Sequence, residues 1–184
     1  MAFRTESDSI GSKQIPAEAY YGVQSLRGAE NFHITGAKLH PEFINSLAAI
    51  KKASALNNLA VGELDKSICD AICQACDEIM AGQFHDQFIC DAIQGGAGTT
   101  ANMNANEVIA NRAIEILGGT KGDYSVVHPN DHVNRAQSTN DVIPTAGKIT
   151  TIKLLQAAVK ELQRLEKSLA AKEKEFDSVV KMGR

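Results

Sequence analysis

The stretch "STNDVIPTAGKITTIKLLQAAVKELQRLEKSL" (138–169) decides how this chain folds. Its apolar positions include Ile149, Ile152, Leu155, Val159, Leu162, Leu165 and Leu169. They step by three and four, so they share one helical face. Pro144 suits a first turn, and the pattern predicts a helix from 144 to about 175. Such a helix would be roughly 48 Å long, more than a small domain is wide. Its stripe needs partner helices, and the preceding sequence offers only short ones. The missing partners must come from sequence beyond Arg184, from other subunits, or from both.

Upstream, the signals are also mainly helical. His40 and Pro41 open a helix whose apolar positions are Phe43, Leu47, Ile50, Leu56 and Leu59, and Gly62 stops it. Asp65 can cap the next, with Ile68, Ile72, Ala75 and Ile79 as its stripe. A short piece around 84–93 leads to glycines 95, 96 and 98, then to a helix over about 101–117. Residues 119–140 lack periodicity and are expected as loop. The first thirty residues look irregular apart from one hairpin, with Gly11 and Ser12 in its turn and Pro16 ending its second strand. The expected fold is mainly α: a small N-terminal helical domain with a short β-hairpin (1–140), then the first long helix of a central bundle (141–184).

Composition narrows the function. Apolar residues make up 43% and aromatics 5%, with no Trp, so the core must be aliphatic. The formal charge is −3 with both signs interspersed, which gives no footprint for nucleic acid. No apolar run approaches the roughly 20 residues that span a bilayer. The charged N-terminus "MAFRTESDSIG" has no apolar core of a secretory signal, and the four cysteines read as reduced cytoplasmic thiols.

Cys69, Cys73 and Cys76 have the C-x3-C-x2-C spacing of an iron–sulfur site. That site needs three thiolates converging from a loop. Here they fall inside a helical pattern beside Ile72 and Ile79, where small residues simply pack. His128 and His132 are four apart, but Pro129 argues against two ligands on one helical face. No metal is expected.

Two polar clusters stand at helix starts. "GGAGTT" (95–100) precedes one helix and "HPNDHVNRAQSTND" (128–141) the other. The first is no nucleotide loop, since no Gly-Lys-Ser/Thr follows and no strand precedes. A cap needs one side chain, from Thr99 or Thr100 in one case and from Ser138, Thr139 or Asn140 in the other. The surplus of hydroxyls and amides at positive dipole ends indicates a site for a small carboxylate or phosphate.

At these residues the sequence resembles the aspartase/fumarase superfamily. "GGAGTTANMNANEVIANRA" (95–113) and "HPNDHVNRAQSTNDVIPT" (128–145) are similar to its first two signature regions. "IPAEAYYGVQSLRGAENF" (15–32) is similar to its N-terminal segment. Ala97-Gly98-Thr99-Thr100 and Ser138-Thr139-Asn140-Asp141 resemble the aspartase branch; class II fumarases, the second reading, favour S-G-T-Q and S-S-N-D. The resemblance implies reversible elimination of ammonia from L-aspartate to fumarate, without an organic cofactor, by a homotetramer. It leaves Mg2+ activation open. It implies Thr99, Ser138 and Thr139 as β-carboxylate ligands, Thr139 and Asn140 near the amino group, and Asn102 and Asn104 as supports of the first signature loop. It implies a secondary dicarboxylate site at His128, Asn130 and Asp131.

Family members run to more than twice this length. A Thr-His pair follows the segment resembling "DSVVKMGR", and the base is a serine in a later loop. The 184-residue chain alone is therefore expected to be an inactive part of the enzyme. A non-catalytic helical assembly module is the alternative from another class. Anaerobic iron reconstitution should give no iron–sulfur absorption band, and a band would overturn the packing reading of the cysteines.

Overall fold

The computed structural model describes residues 2–183. Strands β1 (Phe3–Asp8) and β2 (Gly11–Pro16) form an antiparallel hairpin in which Phe3 pairs with Pro16 and Asp8 with Gly11. Helices follow at α1 (Val23–Asn31), α2 (Pro41–Ala60), α3 (Lys66–Met80), α4 (Thr99–Ile116) and α5 (Thr139–Phe176). A 3-10 turn spans His85–Gln87 and a π-type turn spans Pro129–Val133. The chain divides into two compact units, Met1–Gly147 and Lys148–Arg184.

The first unit is built around α4, whose residues 101–111 are all buried. Helix α2 packs on α3, α3 on α4, and α1 also lies on α4. The core is aliphatic, as the composition requires: Leu47, Ile72, Ile79, Val108, Ile109 and Ile114 are fully buried. The predicted stripe of α2 packs on the core through Phe43, Leu47, Ile50 and Leu59, but the most deeply buried face is shifted round the helix. It carries Ile44, Leu47, Ala48, Lys51 and Ala55, while Leu56 is exposed. The predicted stripe skips from Ile50 to Leu56, and the smaller side chains at 48 and 55 sit on the most buried face.

Several expectations are corrected. The hairpin turn is Ser9-Ile10, with Gly11 and Ser12 already in β2; Asp8 Oδ1 accepts from the N–H groups of Ile10 and Gly11, which makes the bend. Residues 23–31, expected to be irregular, form α1. Its N-cap, Gly22, makes no side-chain cap bond. A distant carboxylate replaces the missing cap: Glu107 on α4 accepts from the backbone N–H groups of Gly22, Gln24 and Ser25 and from the Ser25 hydroxyl. Burial pushes the Glu107 carboxyl up, and these four donors oppose the shift.

The second unit is the continuation of α5. Residues 151–183 are exposed on every face, with Ile152, Leu155, Val159, Leu162, Leu165 and Leu169 among them. No helix of the described residues is long and apolar enough to cross a membrane.

The cysteines behave as packing residues. Cys69 and Cys76 are buried in α3, and burial pushes the thiols of Cys73 and Cys76 up, away from the thiolate a metal needs. Among the described residues no group of three metal-ligating side chains converges.

Gly22 has no room for a side chain. A Cβ there would lie 2.4 Å from the Tyr124 hydroxyl, 2.6 Å from Glu6 Oε2 and 2.8 Å from Glu107 Cδ. Gly22→Ala should therefore destabilise by about 1–3 kcal/mol. A thermal melt should show Tm falling by roughly 3–10 °C, whereas an unchanged Tm would mean that α1 is not clamped against Glu107.

Candidate active site

Helix α4 starts at Thr99 behind a left-handed N-cap, Gly98, with φ +84°. Neither Thr99 nor Thr100 caps it. Gln94 does so from outside: its Oε1 accepts from Ala101 N–H at 2.7 Å, and its Nε2 donates to Asp91 O. Asp91 in turn accepts from the N–H groups of Ile34, Thr35, Gly36 and Ile93 and from the Thr35 hydroxyl. Those backbone and hydroxyl donors hold its carboxyl well below the usual range. The glycine loop thus hangs from an anchored carboxylate, which leaves the Thr99 side chain exposed.

Helix α5 starts at Thr139. Ser138 is its cap, with Oγ accepting from Asn140 N–H at 3.2 Å. Since the helix begins at Thr139, Pro144 stands beyond the first turn, contrary to expectation. Proline has no N–H, so the Asn140 carbonyl lacks its normal helical donor and remains available as an acceptor.

The two helix starts meet. A Cβ on Gly98 would lie 3.0 Å from Ile143 Cγ2, so only glycine lets the loop approach α5 this closely. Asn102 Nδ2 donates to Thr139 Oγ1 at 3.0 Å and to Asn134 Oδ1 at 3.1 Å. A cleft of about 560 Å³ opens here between Ala92–Gln94, Gly96–Gly98 and the α5 residues Asn140, Ile143 and Pro144. Thr99, Ser138, Thr139 and Asn140 thus lie at the adjoining ends of α4 and α5.

Hydroxyl polarity follows from these bonds. Thr139 Oγ1 accepts from Asn102, and Ser138 Oγ accepts from a backbone N–H. Each keeps its own proton to donate to a ligand. With the helix dipoles they form an array for negative charge.

His128, Asn130 and Asp131 lie apart from this array. His128 Nδ1 accepts from the N–H groups of Asn130 and Asp131, at 3.2 and 3.1 Å, and caps the π-type turn. An anion at these N–H groups would have to displace the imidazole. His128 and Asn130 instead line a cleft of about 530 Å³ with Arg27 and Gln24. His132 Nδ1 accepts from His128 N–H at 2.8 Å, a backbone role rather than a metal ligand's.

Of the two asparagines expected to support the first loop, neither does so directly. Asn102 reaches the second signature stretch, and Asn104 Nδ2 donates to Gln87 O. The sequence reading also passes over Lys51, Gln94, Asn134 and Gln137. Lys51 is fully buried, and its Nζ donates to Asn134 Oδ1 at 2.8 Å and Gln137 Oε1 at 2.9 Å. Burial pulls its amine down to about 7. The signal was in the spacing: position 51 falls in step with Ile44, Leu47, Ala48 and Ala55.

A family model described as lyase matches residues 11–184. The chain belongs to this lyase family. Aspartate ammonia-lyase from Bacillus subtilis (strain 168) is 58% identical over 99% of this chain and 38% of its own length. Fumarate hydratase class II from Halobacterium salinarum is 51% identical over 99% of this chain and 39% of its own. A crystal structure of fumarate lyase:delta crystallin from Brucella melitensis superposes with TM-score 0.92 at 46% identity, covering all of this chain and 40% of that one. The chain therefore spans about two-fifths of the length of these relatives. The mainly helical fold with an N-terminal hairpin is the lyase fold over that part.

Gly98→Ala should disturb the lyase locally. The left-handed φ costs a side chain about 1–2 kcal/mol, and Ile143 must also give way. Hydrogen exchange at the amides of Thr99–Ala101 should accelerate, whereas unchanged exchange would mean that the loop does not depend on this close approach.

Proposed function

We propose that this chain supplies the substrate-binding part of an enzyme that eliminates ammonia from L-aspartate to give fumarate, reversibly. One observation carries the reading: the Thr139 hydroxyl, already accepting from Asn102, stands at the α5 start with its proton free to donate.

The reaction removes a weakly acidic proton from the carbon beside the β-carboxylate. As it leaves, charge builds on that carboxylate toward an aci-carboxylate dianion. Donors already aimed at its oxygens stabilise that charge without reorganising. Thr99, Ser138 and Thr139 fill this role, at the positive ends of two helices. The leaving ammonium needs acceptors, and the Asn140 side chain and its freed carbonyl suit it. The base is assigned to a later serine loop of the family. The exposed apolar stripe of α5 suits burial in the helical core of a homotetramer. No organic cofactor enters these steps. Four free thiols fit a reducing cytoplasm. A secondary dicarboxylate site at His128, Asn130 and Asp131 would require the His128 ring to turn away.

Class II fumarase is the second reading, since one such relative is 51% identical. The test uses a completed lyase, in which this chain is continued by the remainder of the Bacillus subtilis relative. Ultraviolet absorbance should show fumarate formed from L-aspartate, not from malate, and none from the 184-residue chain alone. Ser138→Ala should lower kcat by roughly 100-fold, as loss of one oxyanion donor does. Turnover of malate alone would choose fumarase, and unchanged activity in Ser138→Ala would favour a structural module.

A further inference from the structure

Lys51 has no role in the chemistry described above, yet it is among the largest fully buried side chains. A lysine is almost never fully buried unless paired. Among the described residues it forms no ion pair; its two acceptors are the amide oxygens of Asn134 and Gln137. A structural lysine would be replaced at little cost by an apolar side chain of its size. A fully buried lysine with only amide oxygens as acceptors points to a task that a donor performs.

The hydrogen bonds around it define that task. Lysine can offer Nζ hydrogens in either protonation state. Asn134 turns Oδ1 toward Nζ, and its Nδ2 donates to Gln137 O at 3.1 Å, which fixes the amide in that sense. The same Oδ1 accepts from Asn102 Nδ2. Turning the Asn102 amide over would set two oxygens against each other, so Nδ2 must face Asn134 and Thr139 together. Asn102 Oδ1 is left buried without a partner, a cost that marks the orientation as enforced. Thr139 Oγ1 then accepts and can only donate its proton outward. The turn between Asn134 and Thr139 is itself strained: Ala136 has φ +57°, unusual for a side-chain-bearing residue. Its neighbours are pinned by Asn58 Nδ2 on Arg135 O, by Gln137 Nε2 on Val133 O, and by Lys51 on Gln137.

We propose that Lys51 is a positioning residue for the substrate site: from α2 it sets the donor sense of the Asn134–Asn102–Thr139 chain and pins the turn carrying Ser138 and Thr139. It rests on the reading of Thr139 as a carboxylate ligand. The ligand class is the carboxylate end of a small dicarboxylate, which meets Thr139 as a fixed donor instead of a freely rotating hydroxyl.

A double-substitution cycle in the completed lyase tests this. The readout is kcat/KM for L-aspartate, measured well below each variant's Tm. Lys51→Met and Thr139→Val should each lower it by roughly 10- to 100-fold, the scale of one lost buried donor. Together they should cost clearly less than the product of the two losses, because part of the Lys51 effect passes through Thr139. A merely structural lysine would give additive losses. Lys52→Met, half-buried on α2 and paired with Asp77 of α3 away from the Asn134–Gln137 turn, serves as the control and should leave kcat/KM unchanged. If Lys51→Met does not fold, Gln137→Leu removes one of its two acceptors and should show the same non-additivity. Additive losses, or full activity in Lys51→Met, overturn the proposal while leaving Thr139 a ligand. Full activity in Thr139→Val overturns the ligand reading and the proposal with it.

Discussion

The first unit depends on one constraint: α4 is buried along 101–111 although its sequence is rich in amides and carries a glutamate. Each of these groups costs free energy in the core unless it finds a partner there. Four of them bind a different segment each. Asn102 takes the second signature stretch, Asn104 the 3-10 turn, and Glu107 the start of α1. Asn111 binds the Tyr20 carbonyl, the Gly122 N–H and the Tyr124 hydroxyl. The helix that elsewhere would be an apolar rod serves as the hub to which loops are hydrogen-bonded.

Function follows from the position of that hub. Its N-terminal end is the glycine loop, and its first buried amide reaches the start of α5. Two positive helix ends are thereby brought together. A lysine at the surface of such a site would attract a carboxylate but would also hold it in the ground state. Fixed hydroxyls and helix ends respond most to the charge that develops during proton removal. The one lysine in the network, Lys51, is withdrawn behind the amides of Asn134, Gln137 and Asn102.

Periodicity exposed most of this architecture. Helices α3 and α5 were legible because their apolar steps are regular, and α4 because glycines bracket it. Helix α1 was not, since nine residues containing Gly28 carry little periodic signal and its start is stabilised by Glu107, 84 residues from Val23. The α2 face was legible through Phe43, Leu47, Ile50 and Leu59, which pack on the core, but its most buried positions include alanines and a lysine, which hydropathy does not mark. The candidate site residues Thr99 and Ser138–Asn140 stood out in the sequence as surplus polarity. Their polarity as donors did not, because it depends on Asn102, Asn134 and Lys51, which come together only in the folded chain.

The central claim is that hydroxyls at the α4 and α5 starts receive a substrate carboxylate as donors. The most direct measurement is a crystal structure of the completed lyase with succinate, an unreactive dicarboxylate of the right length. One carboxylate should lie within hydrogen-bonding distance of Thr99, Ser138 and Thr139, with the Asn102–Thr139 bond intact. Succinate bound elsewhere, with those three hydroxyls facing only water, would contradict the account.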